Sequence, residues 1–272
     1  NNMLQQSLDR LSSGKRINNS SDDAGGLAVS MKMQGTIDRL TGAESNIGNA
    51  ISFLQVQDGI LESAANIVSR MGELKGLYGD VLKNTTDKAT YDAEFQDLQG
   101  QMFQLALTQF NGVSLFSQDG NKAGNVGALA APAGATLAQG FFSTSATDGR
   151  FAKSMDVFTT ADGSSGSSVS INQALMLSAI TFDDAAGTNT LAFSTSGADG
   201  TFSLASKSTS SKTLADVNFT TDLFTKALEN IASLRAMNGG SVSRLQYAAE
   251  DVMAQKTNLE AANGRIMDVD IA

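Results

Sequence analysis

Chemistry on a protein begins with side chains that give or take a proton, attack a carbon or hold a metal, and this chain carries few of them. It has no cysteine and no histidine. A disulfide, a thiol nucleophile, a thiolate metal site, a histidine general base and a His-Glu-x-x-His zinc motif are therefore excluded. Carboxylates and hydroxyls remain. Asp183-Asp184 and the Asp-Gly steps at 119–120, 148–149, 162–163 and 199–200 supply oxygen ligands of the kind calcium uses. A calcium loop needs several such oxygens at fixed spacing, closed by a bidentate acid, and none of these segments has that spacing; turn formation explains them better. Paired carboxylates could hydrolyse a glycosidic bond, but no pattern in the chain brings two together. The serines of the middle region have no base beside them to activate a nucleophile. The residues point away from catalysis and imply no cofactor and no metal.

The elements that would position any site are long helices. From Ile37 a seven-residue spacing runs through Leu40, Glu44, Ile47, Ile51, Leu54, Asp58, Leu61, Ala65 and Val68, and eight of these ten positions are apolar. This is the seam of a helix that packs along a partner helix. Asp22 and Asp23 stand where acidic side chains cap a helix start. Gly76, Gly79 and Asn84-Thr85-Thr86 predict a stop near residue 78, and a second helix is expected from about Asp87 with Tyr91, Phe95, Leu98, Met102, Leu105 and Ala106 on one face. Near the other end Phe224, Leu228, Ile231, Arg235, Asn238, Val242, Leu245, Ala249, Val252, Lys256, Leu259, Asn263 and Ile266 repeat the same spacing, nine of thirteen apolar. Gly239-Gly240 costs that helix about 2 kcal/mol relative to alanines, so a weak point or bend is expected there. Neither apolar stripe can be buried alone, so the two chain ends should pack side by side.

Residues 121–215 differ. Only 11 of these 95 residues are charged, and Gly, Ser, Thr and Ala dominate. Strand-like runs at Ser168–Ile171, Thr190–Ser194 and Thr201–Leu204 are separated by turn signals, and Gln173–Ile180 could form one short helix. A low-complexity linker is the alternative, but the recurring Phe141, Phe142, Phe151, Phe158, Phe182, Phe193 and Phe202 favour a folded insert. The expected fold class is α+β: a long antiparallel helical bundle of coiled-coil type built from both chain ends, with a β-hairpin, plus an inserted β-rich domain. The expected boundaries are 1–120 for the first helical half, 121–215 for the insert and 216–272 for the second half.

Between the first two helical patterns lies Leu11-Ser12-Ser13-Gly14-Lys15-Arg16-Ile17-Asn18, followed by Asp22-Asp23-Ala24-Gly25-Gly26. Gly14 supplies a left-handed helix stop. Ile17 can anchor an otherwise polar stretch, and Asn18 to Asp23 offer local side-chain hydrogen bonds ahead of the next helix. An ordinary helix–loop–helix connection would read the same way by itself. Three further segments follow in order: Asp58-Gly59-Ile60, Thr108-Gln109-Phe110-Asn111-Gly112 and Ala261-Ala262-Asn263-Gly264-Arg265-Ile266-Met267-Asp268. Together they resemble the bacterial flagellins over roughly residues 1–120 and 216–272. The middle matches no family by motif.

The resemblance implies a self-assembling structural subunit of the flagellar filament, serving motility and located outside the cell on the flagellum. It implies that Leu11, Ser12, Ser13, Gly14, Arg16, Ile17, Asn18, Asp22 and Asp23 form a joint between filament layers that carries subunit contacts. It implies a hairpin formed by Val113–Phe116 and the glycine-rich turns that follow. The implied partners are other flagellin subunits, an export chaperone and a cap protein. A hook–filament junction protein, or a glycan-binding adhesin role for the middle region, are the alternatives. Flagellins seen by an animal innate receptor carry an Arg and a Leu four apart on the first long helix, matched here by Arg70 and Leu74, with a supporting Glu on the second helix near Gly100 or Gln101 in this chain. The bland reading of Arg70 is a solvated charge beside Glu73. The chain opens at Asn1 and closes at Asp270-Ile271-Ala272; against the resemblance this suggests trimming at both ends, and hence a soluble fragment expected to stay monomeric. A net charge of −9 and a pI near 4.5 argue against nucleic acid, and no apolar run is long enough to insert in a membrane.

Overall fold

A computed structural model of the chain describes residues 2–116, 154–183, 201–205, 213–216 and 219–269. The α-helices among the described residues are α1 (Asn2–Ser13), α2 (Ala24–Tyr78), α3 (Thr85–Ala106), α4 (Met176–Ala179) and α5 (Thr221–Met267). Six short strands are β1 (Gln109–Phe110), β2 (Val113–Ser114), β3 (Ser154–Phe158), β4 (Ser168–Asn172), β5 (Thr181–Asp183) and β6 (Thr201–Ser203), paired as β1–β2, β3–β4 and β5–β6. The α+β class follows: long helices from both ends of the chain, with small antiparallel strand pairs between them.

Helix ends obey the local chemistry. Asp23 Oδ1 accepts the Gly26 N–H at 2.8 Å, capping α2. Asn84 caps α3: its side chain accepts the Asp87 N–H while Asp87 accepts the Asn84 N–H. This reciprocal box places the helix start two residues before Asp87, because Asp87 is the third helical residue rather than the first. The first long helix ends at Tyr78, where the glycines predicted a stop. α5 continues through Gly239-Gly240 without a break.

Contacts group the chain into two compact units, and α2 and α5 contribute to both. The first unit draws on residues 1–51, 156–170 and 242–272. Here Ile37, Leu40, Ala43, Ile47 and Ala50 of α2 are buried, as are Leu245 and Val252 of α5. The two helices run antiparallel, since Ser30 Oγ donates to Asn263 Oδ1 at 2.7 Å while Lys256 Nζ reaches Glu44 at 3.2 Å. Arg39 Nε donates to the Ala161 carbonyl at 2.9 Å, tying the β3–β4 turn to α2.

The second unit draws on residues 52–155 and 171–241. α2, α3 and α5 bury Leu54, Leu61, Val68, Met71, Phe95, Met102, Leu223, Ile231 and Leu234. Phe95 meets Phe219 edge-on at 5.1 Å between centroids and Phe224 at 6.3 Å, a favourable aromatic geometry. Arg235 forks onto Asp58 at 3.0 and 3.1 Å and reaches Glu62 at 3.2 Å. Asn238, 4% exposed, donates to the Leu54 carbonyl at 2.8 Å. The polar interruptions of the two apolar seams thus answer one another across the helix pair.

The β1–β2 turn is Asn111-Gly112, so a tight hairpin closes on residues 109–114; the glycine-rich turns that the sequence reading joined to Val113–Phe116 lie outside the described residues. The Asn-Gly pair accounts for the tight turn: both residues have positive φ, 49° and 77°, the requirement of a two-residue type I′ turn. Gln57 Nε2 donates to Leu115 O and Gln173 Nε2 to Ser114 O, both at 2.6 Å, holding the chain just beyond the turn. The helix expected over Gln173–Ile180 is the shorter α4, flanked by a bridge at Ala174 to Phe116 and by β5. Leu214 returns the chain to the helices: its N–H donates to Asp92 and its carbonyl accepts Lys75 Nζ, at 2.7 and 2.6 Å. Thr190–Ser194, Phe141, Phe142, Phe151 and Phe193 lie outside the described residues.

Candidate functional site

The joint at residues 11–23 is built in the first unit. α1 ends as Gly14, at φ 68°, donates its N–H to Arg10 O at 2.9 Å, a left-handed helix stop. The next residues form a short antiparallel clasp with the end of α5. Arg16 N–H donates to Met267 O at 2.6 Å, Val269 N–H donates to Gly14 O at 3.1 Å, and Lys15 bridges Asp268. Two backbone segments far apart in sequence thereby satisfy each other's polar groups, which a bare loop would leave to water.

Below the clasp, Ile17 is 3% exposed and anchors the stretch. The Asn18 and Asn19 N–H groups both donate to Asp22 Oδ2, at 3.2 and 3.1 Å. Asp22 therefore organises the turn while Asp23 caps the helix that follows. Gly26 faces both: a β-carbon there would stand 2.5 Å from Asp23 Oδ2 and 2.8 Å from Ile17 Cδ1. Any side chain at this position would make the Asp23 carboxylate and the Ile17 terminal methyl shift.

The fold therefore brings Gly14, Arg16, Ile17, Asn18, Asp22 and Asp23 into one connected arrangement. Leu11 is 65% exposed, and Ser12 and Ser13 are also exposed. Sequence reasoning did not find the partner strand at Met267–Val269, nor the tie from Ser30 to Asn263. No residue type in either segment announces this pairing, because it is made by backbone groups; Gly26 and Gly264 report only on the local carboxylates they face, a β-carbon at Gly264 coming within 2.8 Å of Asp268 Oδ2.

Arg70 lies on α2 in the second unit. It donates to Glu94 of α3 at 2.7 Å and to Glu73 at 2.8 Å, and these bonds push its proton affinity above the ordinary arginine value. The acid that meets it is Glu94, rather than a residue near Gly100 or Gln101. Leu74, one turn on, is fully buried. Arg235 is likewise held in its charged form, chiefly by its hydrogen bonds to Asp58. Burial has the opposite effect on Lys75, lowering its proton affinity despite Asp216 and Asp92 nearby. Among the described residues no three acidic side chains gather as a metal site would require, and no helix is long and apolar enough to cross a membrane. The Asp-Gly steps at 119–120, 148–149 and 199–200 lie outside the described residues.

Residues 1–121 match the family model of the bacterial flagellin N-terminal helical region, and residues 221–272 match that of the bacterial flagellin C-terminal helical region. Over its full length the chain is 31% identical to a flagellin of Bacillus subtilis (strain 168), spanning 82% of that protein. It is 27% identical, again over its full length, to the flagellar filament 30.7 kDa core protein of Treponema maltophilum, spanning 81%. A flagellin of Clostridium tyrobutyricum is 37% identical over 155 residues, which make up 54% of this chain and 41% of that relative. The two family models and the full-length similarity to the Bacillus subtilis flagellin, borne on a frame of long helices from both chain ends, lead to one assignment: the chain belongs to the bacterial flagellin family.

Proposed function

We propose that this chain is a structural subunit of the flagellar filament, assembling with other copies of itself outside the cell to serve motility rather than catalysing a reaction. The observation that carries the reading is the clasp of Gly14–Arg16 on Met267–Val269. It ties the two family-matched ends of the chain to each other, so that the end of α1 and the end of α5 are held side by side. Leu11, Ser12 and Ser13, exposed beside that clasp, are the residues we assign to contact with neighbouring subunits. An export chaperone and a cap protein follow from the family reading. We do not assign an innate-receptor role to Arg70 and Leu74, since Leu74 is fully buried.

The test is the composition of filaments sheared from cells that produce this protein. We expect it to be their bulk component by mass spectrometry, with filament length falling when Arg16→Pro removes the clasp donor. Filaments that lack the chain would refute the assignment. A few copies confined to the filament base would indicate the junction role. Binding on a glycan array by a chain whose loss leaves the filaments intact would indicate an adhesin.

A further inference from the structure

Five of the described residue pairs place an Asn or Asp before a glycine: Asp58-Gly59, Asn111-Gly112, Asp162-Gly163, Asn238-Gly239 and Asn263-Gly264. In such a pair the glycine nitrogen can attack the preceding side-chain carbonyl, because no β-carbon hinders it. The nitrogen must be free to lose its proton, and the turn must be able to flex. The fold separates the five by these requirements. Gly59, Gly239 and Gly264 lie inside α2 and α5, where the amide is held by the helix ladder. Gly163 donates its N–H to Thr160 O at 3.3 Å.

Asn111-Gly112 alone among them meets the requirements. Both residues are exposed, the space around Gly112 is open, and neither the Gly112 N–H nor the Asn111 side chain has a hydrogen-bond partner. The flanking strands are two residues each, so opening the tip disrupts little structure. Behind the tip, Gln57 and Gln173 keep the chain anchored.

We propose that Asn111 is a site of self-modification, at which the chain deamidates through a cyclic imide. Hydroxide takes the Gly112 amide proton, and the nitrogen bonds to Asn111 Cγ. The Cγ–Nδ2 bond breaks, and ammonia leaves with a proton drawn from water, which restores the hydroxide. Water then opens the ring. Cleavage between nitrogen and Cγ gives aspartate; cleavage between nitrogen and the backbone carbonyl carbon gives isoaspartate, with the chain routed through Cβ. Solvent water is the only co-reactant, and one ammonia is released. The two products differ in effect. Aspartate tolerates the left-handed conformation and leaves the turn closed with one added charge. Isoaspartate adds a backbone atom, so the two-residue turn no longer closes and the pairing of Phe110 with Val113 is lost.

The experiment is incubation of the intact protein at mildly alkaline pH, followed by digestion and mass spectrometry of the peptides holding Asn111, Asn238 and Asn263. Asn111 should convert to a mixture of aspartate and isoaspartate at least about tenfold faster than the two helical asparagines, the factor set by about 1.4 kcal/mol of extra local opening. In a parallel incubation in denaturant the three rates should converge. Asn111 persisting while Asn238 or Asn263 converts, or an equally large difference in the unfolded chain, would overturn the proposal.

Discussion

Replacing Gly26 with alanine sets opposing effects against each other at the joint. In a helix alanine is favoured over glycine by at most about 1 kcal/mol. Against this, the new β-carbon would stand 2.5 Å from Asp23 Oδ2 and 2.8 Å from Ile17 Cδ1. Moving the Asp23 carboxylate aside strains the bond that its Oδ1 accepts from the Gly26 N–H, and full loss of that cap costs about 0.5–2 kcal/mol. Ile17 is nearly fully buried, and forcing it aside is overpacking, at about 1–3 kcal/mol. The net expectation is destabilisation by about 0.5–4 kcal/mol. Ile17→Val removes the methyl in the way. Alone it should cost about 0.5–1.5 kcal/mol, but beside Gly26→Ala it should restore part of the loss, giving a double-mutant coupling of about 1 kcal/mol. Gly42→Ala is the control, because nothing lies within 4 Å of its β-carbon; it should gain up to about 1 kcal/mol. Urea unfolding followed by far-ultraviolet circular dichroism measures all four variants, and amide exchange at residues 24–27 localises the effect. Gly26→Ala as stable as Gly42→Ala would refute the reasoning, as would additivity of the cycle within about 0.5 kcal/mol.

Other substitutions probe the helix pairing and the core. Asn238→Leu gives up a hydrogen bond worth about 0.5–1.5 kcal/mol but removes a buried, unpaired Oδ1 whose desolvation costs about 1–3 kcal/mol; with the added apolar burial the urea midpoint should rise, and a fall would show that the amide is better satisfied than its geometry implies. Phe95→Ala deletes the ring shared by Phe219 and Phe224 and should cost about 3–5 kcal/mol, read in a thermal scan as a fall of about 6–20 °C. Lys75 holds its proton less firmly folded than unfolded, so above its folded pKa the unfolded chain carries the extra proton and stability rises with pH until the ordinary lysine value near 10.5 is reached. The difference in urea midpoint between wild type and Lys75→Met should therefore grow in favour of wild type across that alkaline window; a flat or falling difference would contradict the burial argument.

The helical frame was legible because its signal is periodic. Apolar residues repeated every seven positions identify both α2 and α5, and burial of Leu40, Ile47, Leu54, Ile231, Leu245 and Val252 confirms which face they use. Gly14 as a helix stop and Asp23 as a cap were legible for a local reason: each acts within four residues of itself. What sequence hid was nonlocal. No spacing rule links Arg16 to Met267, Gln57 to Leu115 or Leu214 to Lys75 and Asp92, because backbone acceptors carry no sequence signature. Glu73 beside Arg70 was legible because it is one turn away on the same helix, whereas Glu94 was not found, because spacing within α2 and α3 does not say which residues of the two helices face each other. In the middle region the turn signals placed β4 and β6 correctly, but their partners depend on contacts that short alternating runs do not specify.

The paired seam residues also constrain how the chain can go wrong. A bundle held only by interchangeable aliphatic side chains can slide by one heptad and still bury similar area. Here such a slide would set the Asp58 carboxylate against Leu228 or Val242 and leave Arg235 without its fork. The long helices thus carry an address code written in a few charged and amide groups. Apolar positions can drift among Leu, Ile and Val with modest loss, whereas exchanging one member of the Asp58–Arg235 or Glu44–Lys256 pair narrows the preference for the correct alignment over its neighbours. Compensated double changes at these pairs should be tolerated where single ones are not.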